Sequence, residues 1–252
     1  MENSYVQTRV KDGIGWIKFY HEKSNSFPTE QLNLLIERIG ELGEDEAVKV
    51  IVLESEGDKV FCAGASFDEL LTIEDLTTGE RFFSGFARVL MAMRDCPKFI
   101  IGKVTGRVVG GGVGLVAGCD YAIAHKDASV RLSELSIGIG PFVIEPAISR
   151  KIGVQSFSEM TLNPKDWKSA EWCLEHGLYN RVMESVDEVD STVLEFASQL
   201  SVYSAEAMRD LKGIFWENAA NWDEIMPRRA AMSGRLVLSD FTKETLQKFK
   251  NK

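Results

Sequence analysis

Two small-residue segments constrain this chain most: Gly106-Arg-Val-Val-Gly-Gly-Gly-Val-Gly114 and, one short supersecondary unit earlier, Phe61-Cys-Ala-Gly-Ala-Ser-Phe-Asp-Glu-Leu70. Glycine lets main chain approach a ligand with no Cβ in the way. The run Gly110, Gly111, Gly112 leads into Val113, Leu115, Val116 and Ala117, which reads as a buried helix. A helix N-terminus points unpaired N–H groups outward. If the N–H of Ala65 converges with that of Gly111, the two form an oxyanion hole that can hold negative charge on a carbonyl oxygen.

Hydrophobic spacing places these loops in a mixed α/β chain. Tyr5 to Val10 and Ile14 to Tyr20 flank Lys11-Asp-Gly13, a hairpin signal. Leu32, Leu35, Ile36, Ile39 and Leu42 recur at helical spacing from a start near Pro28-Thr29. Lys49 to Glu54, Phe99 to Val104 and Tyr121 to His125 read as further strands. Beyond about Gly153 the pattern turns helical, with Glu188 to Leu200, Ala205 to Phe215 and Thr242 to Phe249 lacking strand alternation.

Composition narrows the function classes. At 252 residues the chain can bury a core without covalent staples. Its 29 Lys plus Arg against 38 Asp plus Glu give a net charge of −9, which argues against a broad nucleic-acid footprint. The four cysteines, Cys62, Cys96, Cys119 and Cys173, have neither metal-ligand spacing nor the look of a disulfide framework, and read as reduced core thiols. Met-Glu-Asn-Ser-Tyr-Val at the N-terminus has no leader pattern, and no apolar run has the length of a membrane span. A cytoplasmic location, with neither membrane nor nucleic acid as partner, is the expectation.

The two loops, in their order and spacing, resemble the crotonase superfamily, also called the enoyl-CoA hydratase/isomerase family. The resemblance runs along nearly the whole chain, through Ile14-Gly-Trp-Ile-Lys-Phe19, Asn25-Ser-Phe-Pro28, Leu132-Ser-Glu-Leu-Ser-Ile-Gly-Ile-Gly-Pro141 and Ser239-Asp-Phe-Thr-Lys-Glu-Thr-Leu-Gln-Lys-Phe249. It implies an α/β fold: a spiral of β-β-α turns over residues 1–190 carrying a CoA thioester site, then a C-terminal helical trimerisation lobe over 191–252. It also implies an acyl-CoA thioester as substrate, no separate cofactor because coenzyme A belongs to the substrate, and a homotrimer or a dimer of trimers.

By the same resemblance Glu134 is the general acid/base, and Ala65 and Gly111 supply the backbone donors. A carboxyl group beside an apolar acyl pocket is desolvated, which raises its pKa toward neutrality. Ala63 and Ala65 would meet the adenine and thioester, with Lys23, Phe249 and Lys252 where relatives meet CoA. Phe82, Phe86, Val89, Leu90 and Met93 share a helical stripe expected to wall the acyl pocket, although ordinary core packing gives the same spacing. Ser66 replaces the acid common after the first loop's alanine.

The main departure is Gly114, where hydratases of the family usually carry a second glutamate that helps to position water. Glu145, before Pro146, is a candidate second acid or a contact for a polar acyl tail; equally, a carboxylate is stabilised at any helix N-terminus. Phe142 stands where dienoyl isomerases and a dehalogenase of the family place an acid. Gly114 speaks against paired-acid water activation, and it is the resemblance to a family made up largely of hydratases that makes an enoyl-CoA hydratase the expected activity, with a branched acyl group such as methylglutaconyl among the substrates that the resemblance implies. An isomerase working with one glutamate and a non-catalytic acyl-CoA binding module are the alternatives. A dinucleotide-type pattern at Gly112-Val-Gly-Leu-Val-Ala117 competes weakly, because it sits mid-chain without an N-terminal βαβ unit.

Overall fold

The structure, a computed structural model, describes residues 4–250, with side chains through Lys248. Strands β1 (Ser4–Lys11) and β2 (Ile14–His21) form the antiparallel hairpin expected from the sequence. Asp12 and Gly13 both take left-handed backbone, with φ of 52° and 78°, the turn whose twist matches paired strands. Strands β3 (Val50–Ser55), β5 (Phe99–Val104), β7 (Tyr121–His125) and β9 (Arg181–Met183) then add in parallel, giving the order β1-β2-β3-β5-β7-β9. A second, smaller parallel sheet holds β4 (Val60–Cys62), β6 (Arg107–Val109) and β8 (Val130–Arg131).

The chain alternates between these sheets and closes each turn with a helix: β3-β4 leads to α2 (Phe67–Leu70) and α3 (Leu76–Asp95), β5-β6 to α4 (Gly111–Gly118), and β7-β8 to α5 (Glu145–Leu162). This is the β-β-α spiral. A strand buried on both faces needs apolar side chains throughout, and all six residues of β3 are buried. Its inner face, Ile51 and Leu53, joins Phe19, Leu35 and Ile39 in the main core, under α1 (Thr29–Glu44). The four cysteines are buried and unpaired, and burial pushes the Cys62 and Cys119 thiols up to about 12.

The outer face carries Trp16, Val50, Val52, Ile101 and Ile123, covered by Val189, Val193 and Ala197 of α7 (Val186–Ser201). A division at residue 190 therefore falls inside a helix that belongs to the sheet's packing. Strand β9 also lies beyond Gly153, in a region read as wholly helical; its three residues are too few to show alternation. After α6 (Ala170–Glu175) and α7 come α8 (Ala205–Phe215), α9 (Trp222–Val237) and α10 (Asp240–Lys250). Helix α9 lies against α3 at such close range that a Cβ on Gly79 would stand 2.8 Å from the Cα of Gly234. Among the described residues no helix is long and apolar enough to cross a membrane.

Candidate active site

Beyond β4 the chain runs extended past Phe27. The N–H of Phe27 donates to Gly64 O at 2.8 Å, and Ser66 N–H donates to Phe27 O at 3.0 Å. Both bonds involve the neighbours of Ala65, so alternation along extended backbone turns the N–H of Ala65 to the opposite side. Gly64 takes a φ of +88°, and a Cβ there would lie 3.2 Å from the amide nitrogen of Gly111. The two loops thus touch. On the other side, Gly110 (φ 54°, ψ −121°) breaks β6 and starts α4, with its own N–H held by Arg131 O at 3.0 Å. Gly111 is the first residue of α4, where an N–H has no intrahelical partner. Among the described residues neither the Ala65 nor the Gly111 N–H has an acceptor in the protein. Both residues line one cavity of about 200 Å³.

Glu134 lines the same cavity, at the head of the 3-10 turn Glu134–Ile137 that follows β8. Gly138, at φ 85°, ends that turn, and the N–H of Ile139 returns to Glu134 O at 3.1 Å. The glutamate folds over Gly110, since a Cβ on that glycine would lie 2.8 Å from Glu134 Oε1. The residue shows part of its surface to the cavity, yet Oε2 is buried with no hydrogen-bond partner. Burial pushes the carboxyl pKa up to about 7, against a smaller opposing pull from backbone N–H groups and Arg131. The walls around it are apolar, supplied by Phe83, Phe86, Ile139, Phe142 and Ile144. Ser133, Glu134 and Ser233 are the polar side chains at the lining.

The place of a second acid is filled. A Cβ on Gly114 would come within 2.5 Å of Ile144 Cγ2, so the side chain absent from α4 is replaced in space by one from the start of α5. Glu145 does not line the cavity. It begins α5, donates its N–H to Pro141 O at 3.0 Å, and pairs its carboxylate with Arg229 of α9. Arg229 also donates to Phe142 O at 3.0 Å.

Of the other residues singled out from the sequence, Ala63 and Phe86 line the cavity with Ala65, Gly111 and Glu134. Phe82 does not: it packs into a separate cluster with Leu70, Ile73, Val237 and Leu246, while its neighbour Phe83 takes the wall position. Phe82 and Phe83 stand four and three residues before Phe86, so helical spacing fits both and could not choose between them. Lys23 is exposed and paired with Asp68, which raises its ammonium pKa. Ser66 caps α2, its Oγ accepting from Glu69 N at 3.4 Å, while the Glu69 carboxylate takes Thr29 N at 2.9 Å at the start of α1. The side chain of Phe249 and the whole of Lys252 lie outside the described residues. Ser233 carried no sequence signal, because it lines the site only once α9 folds back onto α3; Val143 and Ile144 carried none either, although the motif through Pro141 and Phe142 just before them did.

Comparison with known proteins bears on the family and the fold. Residues 9–252 match the family model described as enoyl-CoA hydratase/isomerase. Over 176 residues, 67% of this chain and 66% of the relative, the chain is 32% identical to the bacillaene synthase dehydratase PksH of Bacillus subtilis. It is also 32% identical over 183 residues to the mevalonyl-coenzyme A hydratase sidH of Aspergillus fumigatus, covering 69% of this chain and 64% of that protein. The matched stretches thus span just under two thirds of each relative's length. In fold it is similar to the enoyl-CoA hydratase crystal structure from Bacillus halodurans, with a TM-score of 0.91, 20% identity, and coverage of 97% and 100% of the two chains. With a match over nearly its whole length and the spiral fold to go with it, this chain belongs to the enoyl-CoA hydratase/isomerase family.

Proposed function

We propose that the chain is a hydratase acting on short or β-branched enoyl thioesters, running toward hydration or dehydration according to substrate supply. One observation carries this reading: two unpartnered backbone N–H groups, Ala65 and Gly111, and the unpartnered Oε2 of Glu134 line a single apolar cavity. Water attacks the β-carbon, and the electron pair of the double bond moves through the α-carbon onto the thioester oxygen. The two N–H groups stabilise the resulting enolate; losing one such donor typically costs about 3 kcal/mol of barrier lowering. Glu134 accepts the proton of the attacking water and returns it to the α-carbon, so the net change is one water added. A carboxyl group that titrates near 7 suits both halves of that transfer.

The small cavity favours a short acyl chain, the relative named for a mevalonyl thioester, a β-branched acyl group, supports branching, and the relative named a dehydratase supports the reverse direction. The isomerase reading has its own observation in the Ile144 side chain that fills the second-acid position. In that version Glu134 removes an allylic proton and returns it elsewhere on the same carbon skeleton. Incubating a panel of short linear and branched enoyl-CoA thioesters in heavy-oxygen water, with mass spectrometry of the products, separates the readings. Gain of one labelled water supports the hydratase. Double-bond migration without labelled water replaces it with the isomerase, and thioester binding with neither change replaces it with a binding module.

A further inference from the structure

The stretch from Ile139 to Ile144 lines the cavity and is neither strand nor helix. Its own backbone bonds are sparse: Ile139 N donates to Glu134 O, Glu145 N donates to Pro141 O, and Ile144 O accepts from Ile148 N. Such a segment keeps a fixed shape only if something outside it does the holding. The C-terminal helices supply that contact at both ends. At one end, Gly138 packs so closely on α10 that a Cβ there would lie 2.6 Å from the ring of Phe241. At the other, Nη1 of Arg229 donates both to Phe142 O at 3.0 Å and to the Glu145 carboxylate.

We infer that Arg229 is a positioning residue: from outside the cavity it clamps the 139–144 arch and so sets which acyl groups the site accepts. The inference rests on the thioester reading above for the acyl group, but the clamp itself does not. A solitary half-exposed ion pair contributes little. Here one guanidinium nitrogen joins a main-chain carbonyl of the arch to the first side chain of α5, and charge-assisted bonds of this kind are stronger than neutral ones. The clamp continues into the lining. Ser233, one turn beyond Arg229 on α9, donates its hydroxyl to Arg229 O at 3.2 Å and faces the cavity. Phe142, whose side chain lines the cavity, carries the clamped carbonyl, and Ile144, which fills the place beside Gly114, sits immediately before the clamped residue Glu145. A helix-dipole role for Glu145 alone would not account for the bond from Arg229 to Phe142 O.

The test compares wild type with Arg229→Ala, Arg229→Lys and Glu145→Gln by amide hydrogen exchange over residues 139–146 and by kcat and KM on linear and branched enoyl-CoA thioesters of graded bulk. Removing a charge-assisted bond of this kind is expected to speed exchange in the arch by roughly tenfold. It should also flatten acyl selectivity by a similar factor, through KM more than kcat, with Arg229→Lys and Glu145→Gln intermediate. Unchanged exchange in a folded Arg229→Ala protein overturns the clamp, and so does faster exchange with unaltered selectivity. Should Arg229→Ala not fold, the two milder variants decide by the same criteria. If wild type neither binds nor turns over any thioester, the functional reading fails while the exchange arm still judges the clamp.

Discussion

Glu134 keeps a buried, unpartnered carboxylate oxygen at the cost of folding stability, and that cost has a sign that can be measured. Its pKa in the folded chain is raised from 4.5 to about 7. Between those values the unfolded chain has released a proton that the folded chain still holds, so stability falls as pH rises through this window and the loss is complete above about 7. The shift corresponds to about 3 kcal/mol at most. Glu134→Gln is therefore expected to be more stable than wild type at pH 8, by up to about 3 kcal/mol in urea unfolding, and nearly equal to it at pH 4. An equal gain at both values would remove desolvation as the cause. Gly114 makes the complementary point about space. Gly114→Ala pushes a methyl against Ile144 and should cost about 1–3 kcal/mol, whereas the double variant Gly114→Ala/Ile144→Ala should lose less than the two single losses added. Strict additivity in the double-variant cycle would show that the two positions do not compete for the same volume. The family resemblance made Glu134 legible through its setting in Leu132-Ser-Glu-Leu135; that Ile144 occupies the space beside Gly114 was not legible, because it comes from thirty residues further along.

At the scale of elements, the segment from Ser24 to Phe27 aims the first loop. Ser24 and Asn25 both take left-handed backbone, with φ of 55° and 53°, a conformation that costs a non-glycine residue about 1–2 kcal/mol. The buried Asn25 side chain offsets it: Oδ1 accepts from His21 N at 3.0 Å, and Nδ2 donates to Glu56 O at 3.0 Å and Val60 O at 2.8 Å. The backbone so fixed takes the N–H of Ala63 on Ser24 O at 3.1 Å, which places Ala65 two residues on. Asn25→Ala leaves two part-buried carbonyls short of a donor and His21 N short of an acceptor, and a loss of about 2 kcal/mol is expected in thermal or urea unfolding, together with a lower kcat at temperatures where the variant is folded. A change below about 0.5 kcal/mol would mean that other contacts hold the loop. Helices α1, α7 and α8 were legible because each repeats its period several times, strands β1 and β2 from the turn signal between them, and β3, β5 and β7 as short apolar runs. Strands β4, β6 and β8, which carry the site loops, have two or three residues each and no period to read. Their places follow from the parallel register with one another, a long-range property.

Across the whole molecule, the C-terminal helices complete the site from outside the spiral, and buried polar contacts anchor them. Lys212 of α8 is 2% exposed; its ammonium lies 3.1 Å from Asp120 Oδ2 and donates to Lys98 O at 2.7 Å. Asp120 Oδ1 accepts from the Trp216 indole at 2.7 Å, which joins the end of α8 to the segment between α4 and β7. Lys212→Met leaves Asp120 without its cation and should cost about 3–5 kcal/mol in unfolding experiments. Near-neutral stability would mean that the carboxylate is satisfied by its remaining donors. The net charge, the mainly helical rear and the family resemblance were readable from the chain, but α9 as a wall of the cavity was not, since nothing local tells Ser233 which cavity it will meet or Arg229 which carbonyl it will hold. The central claim is that the backbone donors bind the thioester while Glu134 moves the proton, so the two functions should separate in one variant. Measuring turnover and thioester affinity of Glu134→Gln side by side tests this most directly: turnover should fall by about 100-fold to 10,000-fold with affinity nearly unchanged. Turnover close to wild type would contradict the account.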